Sequence, residues 1–168
     1  PIEFYSERLN NGNLYDKSYA ARRLADFNAS DKTEEIRKLL DDKHADVVYN
    51  AAMALSELGD MESVLVFAQK CENNRYYSHR VLLELFQAYT GDRAELVRRI
   101  FDERSDYIRA TCIKAYTSDR IEALAPLYAE GVSSKDSNLK IACVKALAQL
   151  GSPDYEQKMI TALNDKNW

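Results

Sequence analysis

The chain has 168 residues, 46% of them hydrophobic and 30% charged, with a formal net charge of −4. This composition fits a folded protein and excludes general disorder. The mild acidity argues against a dedicated nucleic-acid sleeve, and no apolar run approaches the ~18 residues of a membrane span, so no membrane insertion by this segment is expected.

Taken from the N-terminus, the apolar pattern predicts helices over 2–10, 16–28, 32–42, 46–58, 61–72, 77–90, 92–104, 106–117, 119–131, 138–150 and 153–165. They alternate as A and B members of helical hairpins, beginning with an A helix. Every B helix carries a large apolar anchor: Leu24, Leu55, Phe86, Tyr116 and Leu147, spaced by 31, 31, 30 and 31 residues. Four residues before each anchor stand Ala20, Ala51, Leu82, Cys112 and Cys143; three before it stand Ala21, Ala52, Leu83, Ile113 and Val144. Phe27, Leu58, Tyr89 and Leu150 often extend the stripe three residues beyond. A fixed period of this length marks a solenoid, in which stacked units complete one another's core. The expected fold is therefore all-α: a right-handed α-α superhelix of about five hairpins plus an unpaired C-terminal helix. The approximate repeats are 1–28, 31–59, 61–91, 92–118 and 119–151, with a half repeat at 152–168. A start at Pro1 without signal peptide or initiator Met, and an end within a repeat, lead us to expect a fragment of a longer protein.

Local signals support the division. Gly59, Gly91 and Gly151 suit left-handed helix ends, and Asn28 can do the same after the first B helix. Ser152-Pro153 reads as an N-cap followed by proline at the first helical position. Asp31 with Glu34 has capping-box spacing, and Pro126 is expected to kink its helix. Longer A-to-B connections are expected at Glu72 to Arg75 and at Val132 to Ser137, on one edge of the solenoid. Cys112 and Cys143 fall in a small buried column on adjacent repeats, too far apart for a disulfide. With Cys71 they read as core thiols and favour a reducing, cytoplasmic setting; a membrane anchor elsewhere in a longer protein stays open.

These columns resemble HEAT repeats: an acid, then Val-Arg, two residues, Ala, two residues, Ala-Leu, two residues, Leu-Gly. The second copy matches as Asp46-Val47-Val48, Ala51, Ala54-Leu55 and Leu58-Gly59. The fifth reads Asp136, Leu139-Lys140, Cys143, Ala146-Leu147 and Leu150-Gly151. The fourth reads Asp106, Ile108-Arg109, Cys112 and Ala115-Tyr116, then breaks at Thr117-Ser118-Asp119. The family's basic position holds Lys17, Val48, His79, Arg109 and Lys140 here. The resemblance implies that such residues pair with acids before helix B, among which Asp46, Asp106 and Asp136 are available. A basic track on the concave B-helix face is the alternative, interrupted by Val48.

Chemistry is scarce. His44 and His79 form no His-Glu-x-x-His, and neither is followed by the Glu of the His-Glu pairs through which HEAT-like hydroxylases bind iron. No nucleophile elbow, phosphate-cradling loop or dinucleotide fingerprint occurs. No metal, cofactor or catalytic residue is expected. Eleven tyrosines are the one enrichment. Tyr49, Tyr76, Tyr77 and Tyr107, with His79, Arg80, Arg109 and Lys140, are the candidate partner-binding residues, because tyrosine and arginine supply contact area with a polar tip. Half-burial of these tyrosines at repeat junctions is the competing reading. The run from Arg98-Arg99 to Arg104 reads as a solvated outer face.

The expected function is a non-catalytic scaffold or adaptor binding a protein or peptide through its B helices. The alternatives are a DNA glycosylase-like or bilin-lyase-like HEAT protein, and a structural spacer in a larger protein. Ile160 and Leu163 are expected at an exposed end, where they would favour self-association.

Overall fold

The computed structural model describes residues 1–73 and 77–166. Among these residues it contains eleven α-helices and no strand. They are α1 (Ile2–Asn11), α2 (Leu14–Asp26), α3 (Thr33–Arg37), α4 (Ala45–Glu57), α5 (Met61–Asn73), α6 (His79–Ala88), α7 (Arg93–Glu103), α8 (Asp106–Tyr116), α9 (Ala125–Gly131), α10 (Ser137–Leu150) and α11 (Glu156–Leu163). Short 3-10 turns flank α3, follow α8, and precede α9 and α11. Contacts gather the chain into two compact units: Pro1–Cys71 with Ala88–Asp92, and Glu72–Gln87 with Arg93 onward.

In the first unit α2 packs against α1 and α4. Asn13 starts α2, its side-chain oxygen accepting the N–H groups of Tyr15 (2.9 Å) and Asp16 (3.0 Å), which would otherwise lack partners at a helix start. Leu24, Leu55 and their alanine columns are fully enclosed. The small side chains of Ala20, Ala21, Ala51 and Ala52 fit where helix backbones approach closely. In the second unit α8 packs against α7 and α10, and α9 against α10. Here the enclosed anchors are Phe86, Tyr116 and Leu147, beside Cys112 and Cys143. Tyr116 keeps its polar atom in the core because its hydroxyl donates to the carbonyl of Phe86 at 2.6 Å.

Four of the five B helices end by a shared device. Four residues past the anchor, Asn28, Gly59, Arg120 and Gly151 all take left-handed backbone, with φ of 52°, 76°, 51° and 66°. Behind Gly59, the Asp60 N–H reaches the Leu55 carbonyl (2.9 Å) and the Gly59 N–H that of Ser56 (3.0 Å). Asn28 and Ala29 repeat the pattern onto Ala25 and Leu24. Arg120 is unexpected, since the fourth repeat lacks the glycine of the family pattern.

Several local expectations need correction. Gly91 is not left-handed; a Cβ there would fall 2.2 Å from the Tyr89 hydroxyl, so the position calls for space. Asp31 and Glu34 form no capping box. The chain enters α3 through a 3-10 turn at Ser30–Lys32 that includes Asp31, and Thr33 Oγ1 bonds the Ser30 carbonyl instead. Pro126 does not kink a helix, because the segment before it is a 3-10 turn (Glu122–Leu124) and Pro126 sits in the first turn of α9, where its missing N–H costs nothing. Pro153 likewise opens a 3-10 turn before α11. Phe27 is 42% exposed and Leu83 only half-buried, so those two columns are incomplete.

Candidate functional site

A B helix that buries its anchor stripe leaves a second stripe open, at nine, six, five and two residues before the anchor. On α8 these positions are Tyr107 and Lys114, which are exposed, with Ala110 and Thr111, which are buried between them; on α10 they are Asn138, Ile141, Ala142 and Lys145. Because α8 and α10 lie side by side, the two stripes line one groove of about 480 Å³, joined by His79 at the start of α6.

The floor is apolar and the walls are polar without acid. Ala110 and Ala142 leave room by being small, and Ile141 completes the apolar lining. Thr111 Oγ1 donates to the Tyr107 carbonyl (2.9 Å) and also lies 3.2 Å from Nδ1 of His79. The one proton of that hydroxyl is committed to the carbonyl, so Nδ1 of His79 is the donor to Thr111. The imidazole is thereby held 5.9 Å, ring centre to ring centre, from Tyr107. Lys114 and Lys145 are exposed at one end, and neither has an ion-pair partner among the described residues.

The residues nominated from sequence divide accordingly. His79 and Tyr107 come together in the groove. Arg109, two residues from Tyr107 and thus about 200° round the helix, lies elsewhere. Its guanidinium stacks 5.5 Å from the Phe101 ring centre and pairs with Asp106 at 3.1 Å. Arg80 is almost fully exposed and pairs with Glu84 one turn along α6. Tyr77 is half-buried just ahead of α6, and Tyr49 is half-buried on α4 in the first unit. Tyr76, together with Arg75 and Asn74 of the expected long connection, lies outside the described residues. Lys140 departs most from the expectation of a partner-facing side chain. It is 5% exposed, and its ammonium is held 2.6 Å from the Asp165 carboxylate.

Lys140 belongs to a ladder between neighbouring repeats. Lys17, at the same place in the first B helix, meets Asp42 at 3.1 Å. Both acids stand 25 residues after their lysines. They are not the acids expected from the family pattern: Asp136 instead caps α10 through the Leu139 N–H at 2.8 Å. Asp42 is fixed further by the His44 backbone N–H, its imidazole and Lys17, which together outweigh burial and pull its carboxyl down to about 2. Asp60 is held below its ordinary range although burial pushes it up, because Arg37 grips it with two bonds and Ser63 donates to it.

The sequence reading missed Lys114, Thr111, Ile141 and Lys145. Their signal was present: they recur at fixed distances from the anchors, but on the face that the apolar columns leave out. The remaining groups read as structure. Cys71, Cys112 and Cys143 are buried and free, and burial, helped by the charge of Asp106, drives the Cys143 thiol up to about 12. Arg98 and Arg99 pair along their own helix with Glu95 and Glu103. No group of three or more His, Cys, Asp or Glu among the described residues could hold a metal ion, and no helix among them is long and apolar enough to cross a membrane. Ile160 and Leu163 are exposed on α11.

A family model for HEAT repeats matches residues 2–99, more than half the chain, which therefore belongs to the HEAT-repeat family. It is an all-α protein of the α-solenoid class, and repeats of this kind commonly serve as protein-interaction scaffolds. A comparison with curated proteins finds no match.

Proposed function

We propose that this chain is a non-catalytic scaffold that binds a protein or peptide through the open stripe of its B helices, with the α8–α10 groove as the principal contact. The observation that carries this reading is the groove itself. Two consecutive B helices place an aromatic anchor, an apolar floor and uncommitted polar groups along one continuous depression. Such a depression suits a segment laid lengthwise, as a helix lies in a groove. Tyr107 is 43% exposed and suits a contact centre, since a ring with a polar tip contributes area at low entropic cost.

The test is capture from the native lysate with the chain as bait, beside Tyr107→Ala/Ile141→Asp. Both substitutions lie on the open face, so circular dichroism should show an unchanged fold. The expected result is a partner retained by the wild type and lost by the variant. Equal capture by both would move the contact away from the groove, and no specific partner for either would favour the structural-spacer role.

A further inference from the structure

We infer that the α8–α10 groove selects an acidic segment of its partner, one that presents a large apolar side chain about one helical turn from a carboxylate. The inference rests on the scaffold reading above and adds the chemistry of what is bound.

Charge carries the argument. The chain has 27 acids against 23 Lys and Arg, so cations readily find acids within it. Lys17, Arg22, Arg37, Lys70, Arg93 and Lys140 all pair with acids more than 20 residues away. Lys114 and Lys145 do not, and neither do Lys38, Lys43, Lys135 and Lys158; what sets the first two apart is that they occupy the same position in consecutive repeats and flank one groove. No carboxylate is among the groove's lining residues. The other side of α8 is the reverse: a depression of about 330 Å³ gathers Asp102, Asp106 and Glu130 around Arg109. One helix thus separates an acidic face from a cationic apolar one, and an anionic ligand is favoured on the second alone.

The spacing sets the shape of the ligand. Tyr107 and Thr117 bound the groove on the α8 side, about 15 Å at 1.5 Å per residue. That length admits roughly three turns of helix. Ala110 precedes Lys114 by four residues, about 6 Å, so an apolar side chain over Ala110, Ile141 and Ala142 places an acid one turn away beside both ammonium groups. A nucleic acid fits less well. Two lysines neutralise few phosphates, and most of the floor is aliphatic and offers no stacking surface.

Fluorescence anisotropy with labelled peptides of about ten residues tests this: a Leu/Glu amphipathic helix, its Glu→Lys counterpart, and its Leu→Ser counterpart. The Leu/Glu peptide should bind at least about tenfold more tightly than either control, and Lys114→Ala/Lys145→Ala should weaken it about tenfold, from two exposed ion pairs. Lys114→Glu/Lys145→Glu should invert the preference towards the lysine peptide. Equal binding of the Glu and Lys peptides, with both lost in Ile141→Asp, would overturn the acidic preference while leaving the scaffold reading intact. Absence of binding by the Leu/Glu peptide overturns the inference, and the lysate capture still decides the scaffold reading independently. Displacement of the peptide by single-stranded oligo-dT, with loss of both in the lysine variants, would overturn it in favour of nucleic acid.

Discussion

At the end of α4 the chain turns on Gly59 behind an aliphatic anchor, Leu55; at the end of α8 it turns on Arg120 behind Tyr116. The basic position holds a buried Val48 on α4 and an arginine stacked on Phe101 on α8. Each helix serves the same place in its repeat: α8 keeps the family's arginine, which α4 lacks, but departs from the pattern at the anchor and at the turn, where α4 follows it. The departures are balanced locally. The Tyr116 hydroxyl finds the Phe86 carbonyl, Arg93 lies 4.8 Å from the Tyr116 ring centre, and Arg93 pairs with Asp119 at 2.7 Å. What all five repeats hold constant is a large enclosed side chain, and four of them add a left-handed residue four positions on, the repeat of Phe86 being the exception; chemical identity is free wherever polar atoms are met.

That view makes its largest prediction at the anchors. Tyr116→Ala should cost about 3–5 kcal/mol and Leu55→Ala about 2–5 kcal/mol, since each empties a closed core. The two helices should part company under conservative change. Leu55→Met should cost less than about 1.5 kcal/mol, whereas Tyr116→Phe should still cost about 1–3 kcal/mol by leaving the buried Phe86 carbonyl without its donor. Urea unfolding of the four variants measures this, and equal costs for the two conservative changes would break the distinction.

The turns should respond with opposite signs. Arg120 occupies backbone that costs a side chain about 1–2 kcal/mol, so Arg120→Gly should stabilise by about 1 kcal/mol after the glycine's own entropy is counted. Gly59→Ala should destabilise by at least about 1 kcal/mol, because φ is positive and the added Cβ would approach Thr90 Oγ1 to 3.3 Å.

Acid should open the first unit around α2 and α4. A carboxyl held below its unfolded value contributes stability that is complete above the unfolded pKa and lost as pH falls through the folded one. For Asp42 that window runs from about 4 down to about 2, and Asp60, also lowered, adds to it. Thermal melts should fall progressively below pH 4, with amide protection in α2 and α4 lost in the same range. Asp42→Asn should be less stable at neutral pH and flatter in acid; an unchanged acid limb would remove Asp42 from the account.

The contrast between α4 and α8 also shows what could be read from residues alone. The repeat, the anchors and the alternation of helices were legible because burial imposes a fixed spacing on apolar side chains. The turn after α8 was not, because left-handed backbone is announced by glycine or asparagine and Arg120 is neither. Lys140 was legible as a residue paired between repeats, although it was nominated for a partner as well; its acid was not, because Asp165 stands 25 residues away, where only packing reveals it. Of the candidate site, His79 and Tyr107 were nominated from sequence within a tyrosine and arginine set, of which Arg80, Arg109 and Lys140 lie outside the groove. Lys114 and Lys145 were passed over: their common place two residues before an anchor was visible, but only packing shows that they flank one groove.

The smallest expected effect lies one turn before the anchors, where α4 holds Ala51 and α8 holds Cys112. Both are fully enclosed, and burial alone pushes the Cys112 thiol well above its ordinary value. Reaction with an alkylating agent requires the thiolate and access to it, and the folded chain denies both. Labelling of Cys112 and Cys143 should therefore proceed only at the rate of unfolding and accelerate with urea in step with the loss of helix. Cys112→Ala, which makes the position resemble α4, should cost about 1 kcal/mol or less, with the groove peptide bound as before. Rapid labelling in the native state would show that α8 opens locally, and would make the helix that lines the groove a mobile element where α4 is a fixed one.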